Sequence, residues 1–304
     1  MRLTPGAFLL KFRQTFGDGL TVAWFRDIVR PQILRSPPVR KTDDYRCEIH
    51  ILTSKQDWLN AMWSLKSFYR VSGRCYGLCI HEDGSLADPE IRILQEHFPS
   101  ARIVTRSEAD ETLRRSLLRF PRCQAFRESH PLAMKLFDFV EFLESERMAL
   151  FDSDLLFFAE PSVYLSRVEN SAYKINTFNA DIATRYTLDA EKLNLAVRGP
   201  VQARLNSGFG LIHSKSLPRE WIEEFLELPN ILSGNPWLIE QTLIALCSSR
   251  YGVELLPEEY SLRLDEGIGE RPMRHYVGKI RHLMYGEGMR RLSRIGILDS
   301  STSI

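Results

Sequence analysis

The chain has 304 residues, of which 44% are hydrophobic and 26% charged, and its formal net charge is +1. This length and balance suit one large α/β domain or two small ones, and they exclude a chain that is disordered throughout. The small net charge argues against a general nucleic-acid-binding surface, so no nucleic-acid partner is predicted.

Residues 1–46 differ from the rest and are predicted to form a helical N-terminal arm. Apolar residues recur near helical spacing, with Arg and Lys between them, until Pro31, Pro37 and Pro38 break any helix. One interpretation is an arm packed on the main domain, and the other is a basic amphipathic segment lying on a membrane surface. The apolar residues are Phe8, Leu9, Phe12, Phe16, Val22, Trp24, Phe25, Ile28 and Val29.

From Cys47 onward, predicted strands alternate with predicted helices. Strands are expected at 47–54, 75–81, 101–105, 148–158 and 205–213, and helices at 57–71, 89–98, 108–120, 131–146 and 236–247. This alternation indicates an α/β fold with a mostly parallel, doubly wound central sheet and helices on both faces. His50, within the first strand, is interpreted as a satisfied core or edge histidine. A basic C-terminal tail is expected at 284–304.

Two carboxylates, Asp152 and Asp154, interrupt a strand that is otherwise built for the core. Burial of an unpaired carboxylate costs several kcal/mol, and two like charges side by side raise each other's pKa unless a cation neutralises them. Residues i and i+2 of a strand point to the same side, and ligands of open α/β sheets bind at the carboxyl ends of strands. The pair therefore predicts a divalent-cation site able to hold a diphosphate, although Asp-x-Asp alone is a weak signal.

With this motif the chain resembles the GT-A glycosyltransferases, in particular the glycogenin and lipopolysaccharide-galactosyltransferase group, known as family eight. The resemblance spans about residues 47–283 and depends on the order and spacing of short blocks. These are Ser64-Leu65, Lys135-Leu136, Leu150-Phe151-Asp152-Ser153-Asp154, Asn206-Ser207-Gly208-Phe209-Gly210, Trp237 to Gln241, and His275-Tyr276-Val277-Gly278. It implies a GT-A, Rossmann-like fold and transfer of a sugar from a nucleoside diphosphate, with a UDP-sugar as the family norm.

The resemblance also implies a metal site with basic residues around it. Asp152, Asp154 and His275 would bind Mn²⁺ or Mg²⁺. Arg281 stands where the family has Lys after Gly278, with Lys279 as a competitor for the contact to the diphosphate. Lys135 stands where the family usually has Arg, beside the nucleotide or the donor sugar.

Further residues would line the donor. Asn206, Ser207 and Gly208 match the strand of the donor-sugar pocket, where glycine permits close backbone approach. Glu240 and Gln241 match the family's Asp-Gln near the anomeric carbon and are the catalytic candidates. Ser153 lies within the metal motif, whereas Thr53 and Ser54 replace the family's base-contacting aspartates, which leaves the choice of base open. The acceptor, whether glycan, lipid or small molecule, is unassigned.

Two other functions compete with the transferase interpretation. One is a phosphohydrolase with Asp152 as nucleophile. The other is a non-catalytic protein that binds a membrane surface through the N-terminal arm or through the basic stretch that begins at Arg271 and continues into the tail. The basic residues of this stretch are Arg271, Arg274, Lys279, Arg281, Arg290, Arg291 and Arg294.

Cysteine usage and hydropathy bear on location. Five cysteines without Cys-x-x-Cys or Cys/His zinc spacing predict reduced, mostly buried thiols and a cytoplasmic protein. No transmembrane run is present, and charges at Lys11 and Arg13 interrupt the stretch from Gly6 to Leu10 too early for a signal core. Location at the inner face of a membrane is the alternative.

Overall fold

The computed structural model describes residues 17–39, 42 and 44–299. The apolar positions Phe8, Leu9, Phe12 and Phe16, the stretch from Gly6 to Leu10, and residues 300–304 of the predicted tail lie outside the described residues. Within the described part, no helix combines the length and apolar character needed to cross a membrane.

The centre of the fold is a seven-stranded sheet with the order β3-β2-β1-β4-β7-β6-β8. Neighbouring strands are parallel except where β7 pairs with β4 and with β6, so the predicted mostly parallel sheet is confirmed. The sheet strands are β1 Asp44–Thr53, β2 Tyr76–Glu82, β3 Arg102–Val104, β4 Arg147–Phe151, β6 Asn176–Ala180, β7 Leu205–His213 and β8 Val253–Leu255. A separate antiparallel pair joins β5 Leu155–Phe157 to β9 Met273–His275.

Helices cover both faces of the sheet, as the alternating pattern predicts. In the described residues the α-helices are α1 Leu20–Trp24, α2 Trp58–Ser72, α3 Asp88–His97, α4 Arg106–Ser116, α5 Pro121–Ser129, α6 Met134–Glu141, α7 Ser162–Glu169, α8 Ala190–Val197, α9 Arg219–Phe225, α10 Trp237–Tyr251, α11 Arg281–Leu283 and α12 Arg290–Arg294. One core packs α2 and α7 against one sheet face, and a second packs α5, α6, α9 and α10 against the other. Alternate residues of β4 enter the two cores, as the strand period requires.

The strand expected at 148–158 is in fact two strands, and this corrects the sequence prediction. β4 ends at Phe151, and β5 begins at Leu155 in the other sheet. The residues on both sides of the aspartates are apolar. If one strand continued through the sheet, however, the charged side chains at 152 and 154 would be buried without partners. The chain turns at the aspartates instead, which places them at the carboxyl end of β4.

Two predicted helices are shorter than expected. The helix expected at 108–120 ends at Ser116, because Pro121 follows shortly and begins a helix of its own, α5. The helix expected at 131–146 is α6, preceded by a 3-10 turn, and it ends at Glu141. The following residues turn towards β4, with the backbone N–H of Glu144 donating to Glu48.

The segments at both ends of the described chain pack on one core. Val22, Val29 and Ile33 of the N-terminal segment share it with Met284 and Leu292 near the C-terminal end. Two residues of the basic stretch that begins at Arg271 are engaged internally, because Arg274 contacts Glu287 at 2.7 Å and Arg281 contacts two aspartates. The domain division at residues 46 and 283 stays a prediction. All five cysteines are free thiols, and only Cys75 is partly exposed.

Candidate active site

Asp152 and Asp154 lie in the turn between β4 and β5. The backbone N–H of Asp152 donates to the Gly208 carbonyl of β7 at 2.8 Å, which fixes the turn against the neighbouring strand. His275, far along the sequence, is brought opposite Asp154 because β9 pairs with β5, with Leu155 and His275 as register partners. The turn after one strand and the end of another therefore meet at one point.

The three side chains have the geometry of a cation site. Their ligand atoms lie within 4.8 Å of one another, with His275 Nε2 at 3.0 Å from Asp154 Oδ1 and 3.7 Å from Asp152 Oδ2. Carboxylate oxygens with one imidazole nitrogen suit Mn²⁺ or Mg²⁺. A Cβ at Gly208 would overlap the His275 ring and lie 2.8 Å from Asp152 Oδ2, so only glycine leaves this space open. The residues present fit a divalent cation.

Positive side chains balance the two carboxylates. Lys135 Nζ is 2.5 Å from Asp152 Oδ1 and 3.9 Å from Glu240 Oε1. The Arg281 guanidinium donates to Asp154 Oδ2 and to Asp57 Oδ1, each at 2.7 Å. These positive charges offset the repulsion between the two carboxylates, and ammonium and guanidinium groups are suitable donors to an anionic diphosphate.

The charged side chains of this site change the pKa values of its buried residues, Asp154, His275 and Lys135. Burial by itself would raise the pKa of Asp154, but His275 and Arg281 outweigh it and the pKa is lowered. Burial would lower the pKa of His275, and Asp154 reverses this, so that it is raised. The pKa of Lys135 is likewise raised, because Asp152 and Glu240 outweigh its burial. The site is thus held together as a set of ionised pairs.

A second group of predicted residues lines the adjoining end of β7. Ser207 donates through its hydroxyl to Glu240 Oε2 at 2.9 Å, and its backbone N–H donates to Gln241 Oε1 at 3.4 Å. Asn206 Oδ1 accepts from the backbone N–H of Gly208 at 3.0 Å, and Lys135 Nζ donates to the Ser207 carbonyl. Burial raises the pKa of Glu240 to about 7. The start of α10 is therefore joined to the aspartates through Lys135 and β7.

The remaining predicted residues form no hydrogen bond or ion pair with these side chains among the described residues. Thr53 ends β1 and Ser54 follows it, at the same sheet edge as the aspartates, because Ile51 pairs with Phe151. Ser153 is half-buried between the two aspartates. Gly278 and Lys279 are exposed in a turn after β9, so Arg281 rather than Lys279 contacts the aspartates.

The structure adds carboxylates that the sequence interpretation missed. Asp57, just before α2, shares the Arg281 guanidinium. Asp181, just after β6, lies 3.5 Å from the Asn206 amide. Asp152 was indicated by the apolar strand that precedes it, whereas the residues before Asp181, Asn176–Ala180, are mostly polar and give no such signal. Asp57 carries no comparable pattern.

An open cleft of about 690 Å³ lies beyond the ends of β2 and β3. Its lining includes Glu82, Gly84 and Arg106, and it contains none of the site residues named above. The carboxyl ends of β1, β2, β3 and β4 share one edge of the sheet because these strands are parallel neighbours. The candidate cation ligands converge instead at the charged group that follows β4.

Comparison with solved structures identifies the fold. Mouse xyloside xylosyltransferase 1 in its apo form matches with a TM-score of 0.51 and 10% identity, over 77% of this chain and 98% of that one. The galactosyltransferase LgtC, in complex with donor and acceptor sugar analogs, matches with a TM-score of 0.52 and 12% identity, over 84% and 97%. The bifunctional glycosyltransferase WbbM matches with a TM-score of 0.50 and 13% identity, over 79% of this chain and 47% of that one.

No protein-family profile and no curated protein sequence matches the chain. At these identities the structural likeness establishes the fold, which is the GT-A fold of the glycosyltransferases named above. The sequence expectation for the fold is confirmed, whereas fold alone does not assign an activity.

Proposed function

We propose that this protein is a glycosyltransferase that moves a sugar from a nucleoside-diphosphate sugar, with UDP-sugars favoured, to a glycan, lipid or small-molecule acceptor. The observation that carries the proposal is the convergence of Asp152, Asp154 and His275 in a GT-A fold, with ligand atoms within 4.8 Å of one another. A bound Mn²⁺ or Mg²⁺ would stabilise the negative charge that develops on the leaving diphosphate.

The chain's own residues have complementary roles in this proposal. Arg281 presents a guanidinium at the aspartates and is placed to donate to diphosphate oxygens, a geometry that suits bidentate contact. Lys135 adds a second positive charge beside Asp152. Ser207, Glu240 and Gln241 supply hydrogen-bonding groups that would orient sugar hydroxyls, and Gly208 leaves room for the donor.

A thermal-shift panel of UDP-, GDP-, ADP- and TDP-sugars tests the proposal, each with Mn²⁺, Mg²⁺ or EDTA. At a hundredfold excess over its dissociation constant, a ligand adds about 2.7 kcal/mol to stability, which is a shift of several degrees for a chain of this size. At least one nucleotide sugar should stabilise the protein only when metal is present. Asp152→Asn and Asp154→Asn should each abolish that shift.

Asp265→Asn is the matched control, because this aspartate is exposed and pairs with Arg263. It should leave the shift intact. Absence of a metal-dependent shift with every nucleotide sugar would contradict the assignment. Release of inorganic phosphate from phosphomonoesters would instead support the phosphohydrolase interpretation.

Contact with a membrane surface is a second, compatible proposal, favoured by a ridge of exposed apolar side chains near the N-terminal end. Leu20 is 76% exposed, Trp24 57% and Ile28 47%, at a spacing of four residues that suits one helical face. Flotation with liposomes that contain anionic lipid should recover the wild-type chain. The triple variant Leu20→Ser, Trp24→Ser, Ile28→Ser should stay at the bottom of the gradient, and equal flotation would contradict the proposal.

A further inference from the structure

His50, Cys79 and His81 form a cluster on one face of the sheet, away from the aspartates. His50 of β1 is the register partner of Cys79 of β2, and His81 follows two residues later on the same side of the strand. All three are fully buried. The ring centroid of Phe139 on α6 lies 4.5 Å from that of His81 and 5.4 Å from that of His50, so an aromatic side chain packs against both imidazoles.

Three atoms of the cluster converge at metal-ligand spacing. His50 Nδ1 is 3.0 Å from His81 Nε2, Cys79 Sγ is 3.3 Å from the same nitrogen, and all three atoms lie within 4.8 Å of one another. An ion about 2.0 Å from nitrogen and about 2.3 Å from sulfur separates its ligands by about 3.3 to 3.6 Å in tetrahedral geometry. The two separations that involve His81 Nε2, 3.0 and 3.3 Å, are within a few tenths of an ångström of these values.

Glu48 fixes the proton of His50 on Nε2, the ring nitrogen that faces away from the cluster. Its Oε2 is 3.2 Å from His50 Nε2, while the same carboxylate accepts from the Arg102 guanidinium at 2.6 Å and from the Glu144 backbone N–H at 2.9 Å. Held as an acceptor, it places the His50 proton on Nε2 and leaves a lone pair on Nδ1 that faces the cluster. A carboxylate behind a ligating histidine is a common arrangement around protein metals.

Hydrogen bonding alone does not satisfy every polar atom of the cluster. Cys79 and His50 both meet the same His81 nitrogen, which carries at most one proton, so the two contacts compete. His81 Nδ1 has no hydrogen-bond partner among the described residues, so no contact there dictates which His81 nitrogen holds the proton. Two imidazole lone pairs and one sulfur can thus point at a common centre.

We propose that His50 Nδ1, Cys79 Sγ and His81 Nε2 bind one thiophilic cation, Zn²⁺ or Cu⁺, that ties β1 to β2. On binding, the Cys79 S–H bond breaks, its proton passes to solvent, and a thiolate–metal bond forms. No fourth histidine, cysteine or carboxylate among the described residues joins the group, so the protein supplies three ligands. Nitrogen and thiolate ligands select these ions over Mn²⁺ or Mg²⁺. This site is independent of the proposed transferase activity.

Metal analysis of the full chain tests the proposal. The protein is purified without a histidine tag, dialysed against EDTA, and analysed for zinc and copper by mass spectrometry. About one equivalent should remain in the wild type, and its identity decides between the two ions. Cys79→Ser should lose it, whereas Cys47→Ser, an equally buried cysteine of β1 in the opposite core, should retain it.

Refolding with Co²⁺ provides a readout that does not depend on the variants. The wild type should then show thiolate-to-cobalt charge-transfer absorption, which the oxygen-rich site at Asp152 and Asp154 is unable to produce. Wild-type protein without zinc or copper and without this absorption would overturn the proposal, whether or not Cys79→Ser folds. Equal metal content in wild type and a folded Cys79→Ser variant would overturn it as well.

Discussion

Lys135 Nζ lies 2.5 Å from Asp152 Oδ1, so one of the two proposed metal-binding aspartates already has a buried ammonium partner. The other, Asp154, has Arg281 at 2.7 Å. Each carboxylate therefore reaches its position at the end of β4 with a compensating charge, and the repulsion expected between two close aspartates is offset. A cation that enters the site must share both carboxylates with these basic groups.

Lys135→Met should make binding of Mn²⁺ alone tighter while slowing sugar transfer. Without the ammonium, Asp152 no longer shares its negative charge with Lys135. The affinity for Mn²⁺ should then rise on the order of tenfold, which corresponds to about 1.4 kcal/mol. The diphosphate loses one positive group, so turnover should fall. Titration calorimetry with Mn²⁺ measures the first effect, and Lys192→Met, at an exposed lysine of α8, is the control. Weaker Mn²⁺ binding in Lys135→Met would contradict the competition.

Gly208→Ala should disrupt the cation site more than the fold. The added methyl would overlap the His275 ring and lie 2.8 Å from Asp152 Oδ2, so both ligands must move. Overpacking of this kind costs about 1–3 kcal/mol, and the metal-dependent thermal shift should disappear. Gly199→Ala is the matched control, because its Cβ would meet nothing within 4 Å. A retained metal-dependent shift in Gly208→Ala would show that the two ligands are not held where the structure has them.

Glu240→Gln should change how stability depends on pH. Burial raises the pKa of Glu240 to about 7 from the ordinary value of 4.5; Asp152 adds to the rise, while Lys135 and Ser207 oppose it. The folded protein therefore binds this proton more tightly than the unfolded chain, and the associated stability is lost as pH rises from 4.5 through 7. The loss is on the order of 3 kcal/mol.

Urea unfolding between pH 4.5 and 8 measures this effect. The difference in unfolding free energy between Glu240→Gln and the wild type should move in favour of the variant as pH rises, because glutamine has no proton to lose. Glu191→Gln, at an exposed glutamate of α8, should follow the wild type throughout. Parallel curves for Glu240→Gln and wild type would mean that Glu240 titrates alike in the folded and unfolded chains.

Arg281→Lys should weaken nucleoside-diphosphate binding on the order of tenfold although the charge is kept. The guanidinium contacts Asp57 and Asp154 at once, each at 2.7 Å, and a single ammonium is a poor replacement for that fork. Lys279→Met provides the comparison, because Lys279 is exposed beside the same turn. Calorimetry with the diphosphate and Mn²⁺ should show the larger loss for Arg281→Lys. A larger loss of affinity for Lys279→Met would instead assign the diphosphate contact to Lys279.

Periodicity predicted the fold where elements are long enough to show it. Strand β7 was expected at 205–213 and occurs at Leu205–His213, and α2 and α10 also lie where expected, with slightly different ends. Strands β6, β8 and β9 were not expected: β6 is mostly polar in sequence, and β8 and β9 have only three residues each, too few for an alternating pattern to distinguish them from loop. The break between β4 and β5 was hidden because the residues on both sides are apolar.

The sequence by itself determined the α/β sheet and the acidic pair at the end of its fourth strand, because local hydrophobic periodicity and charge within an apolar run are readable along the chain. The tertiary structure decided which distant groups meet there. His275 reaches Asp154 through the pairing of β5 with β9, and Lys135 and Arg281 arrive on separate helices. The His50, Cys79 and His81 cluster has the same origin, since sheet register between two strands, and not sequence spacing, brings its atoms together.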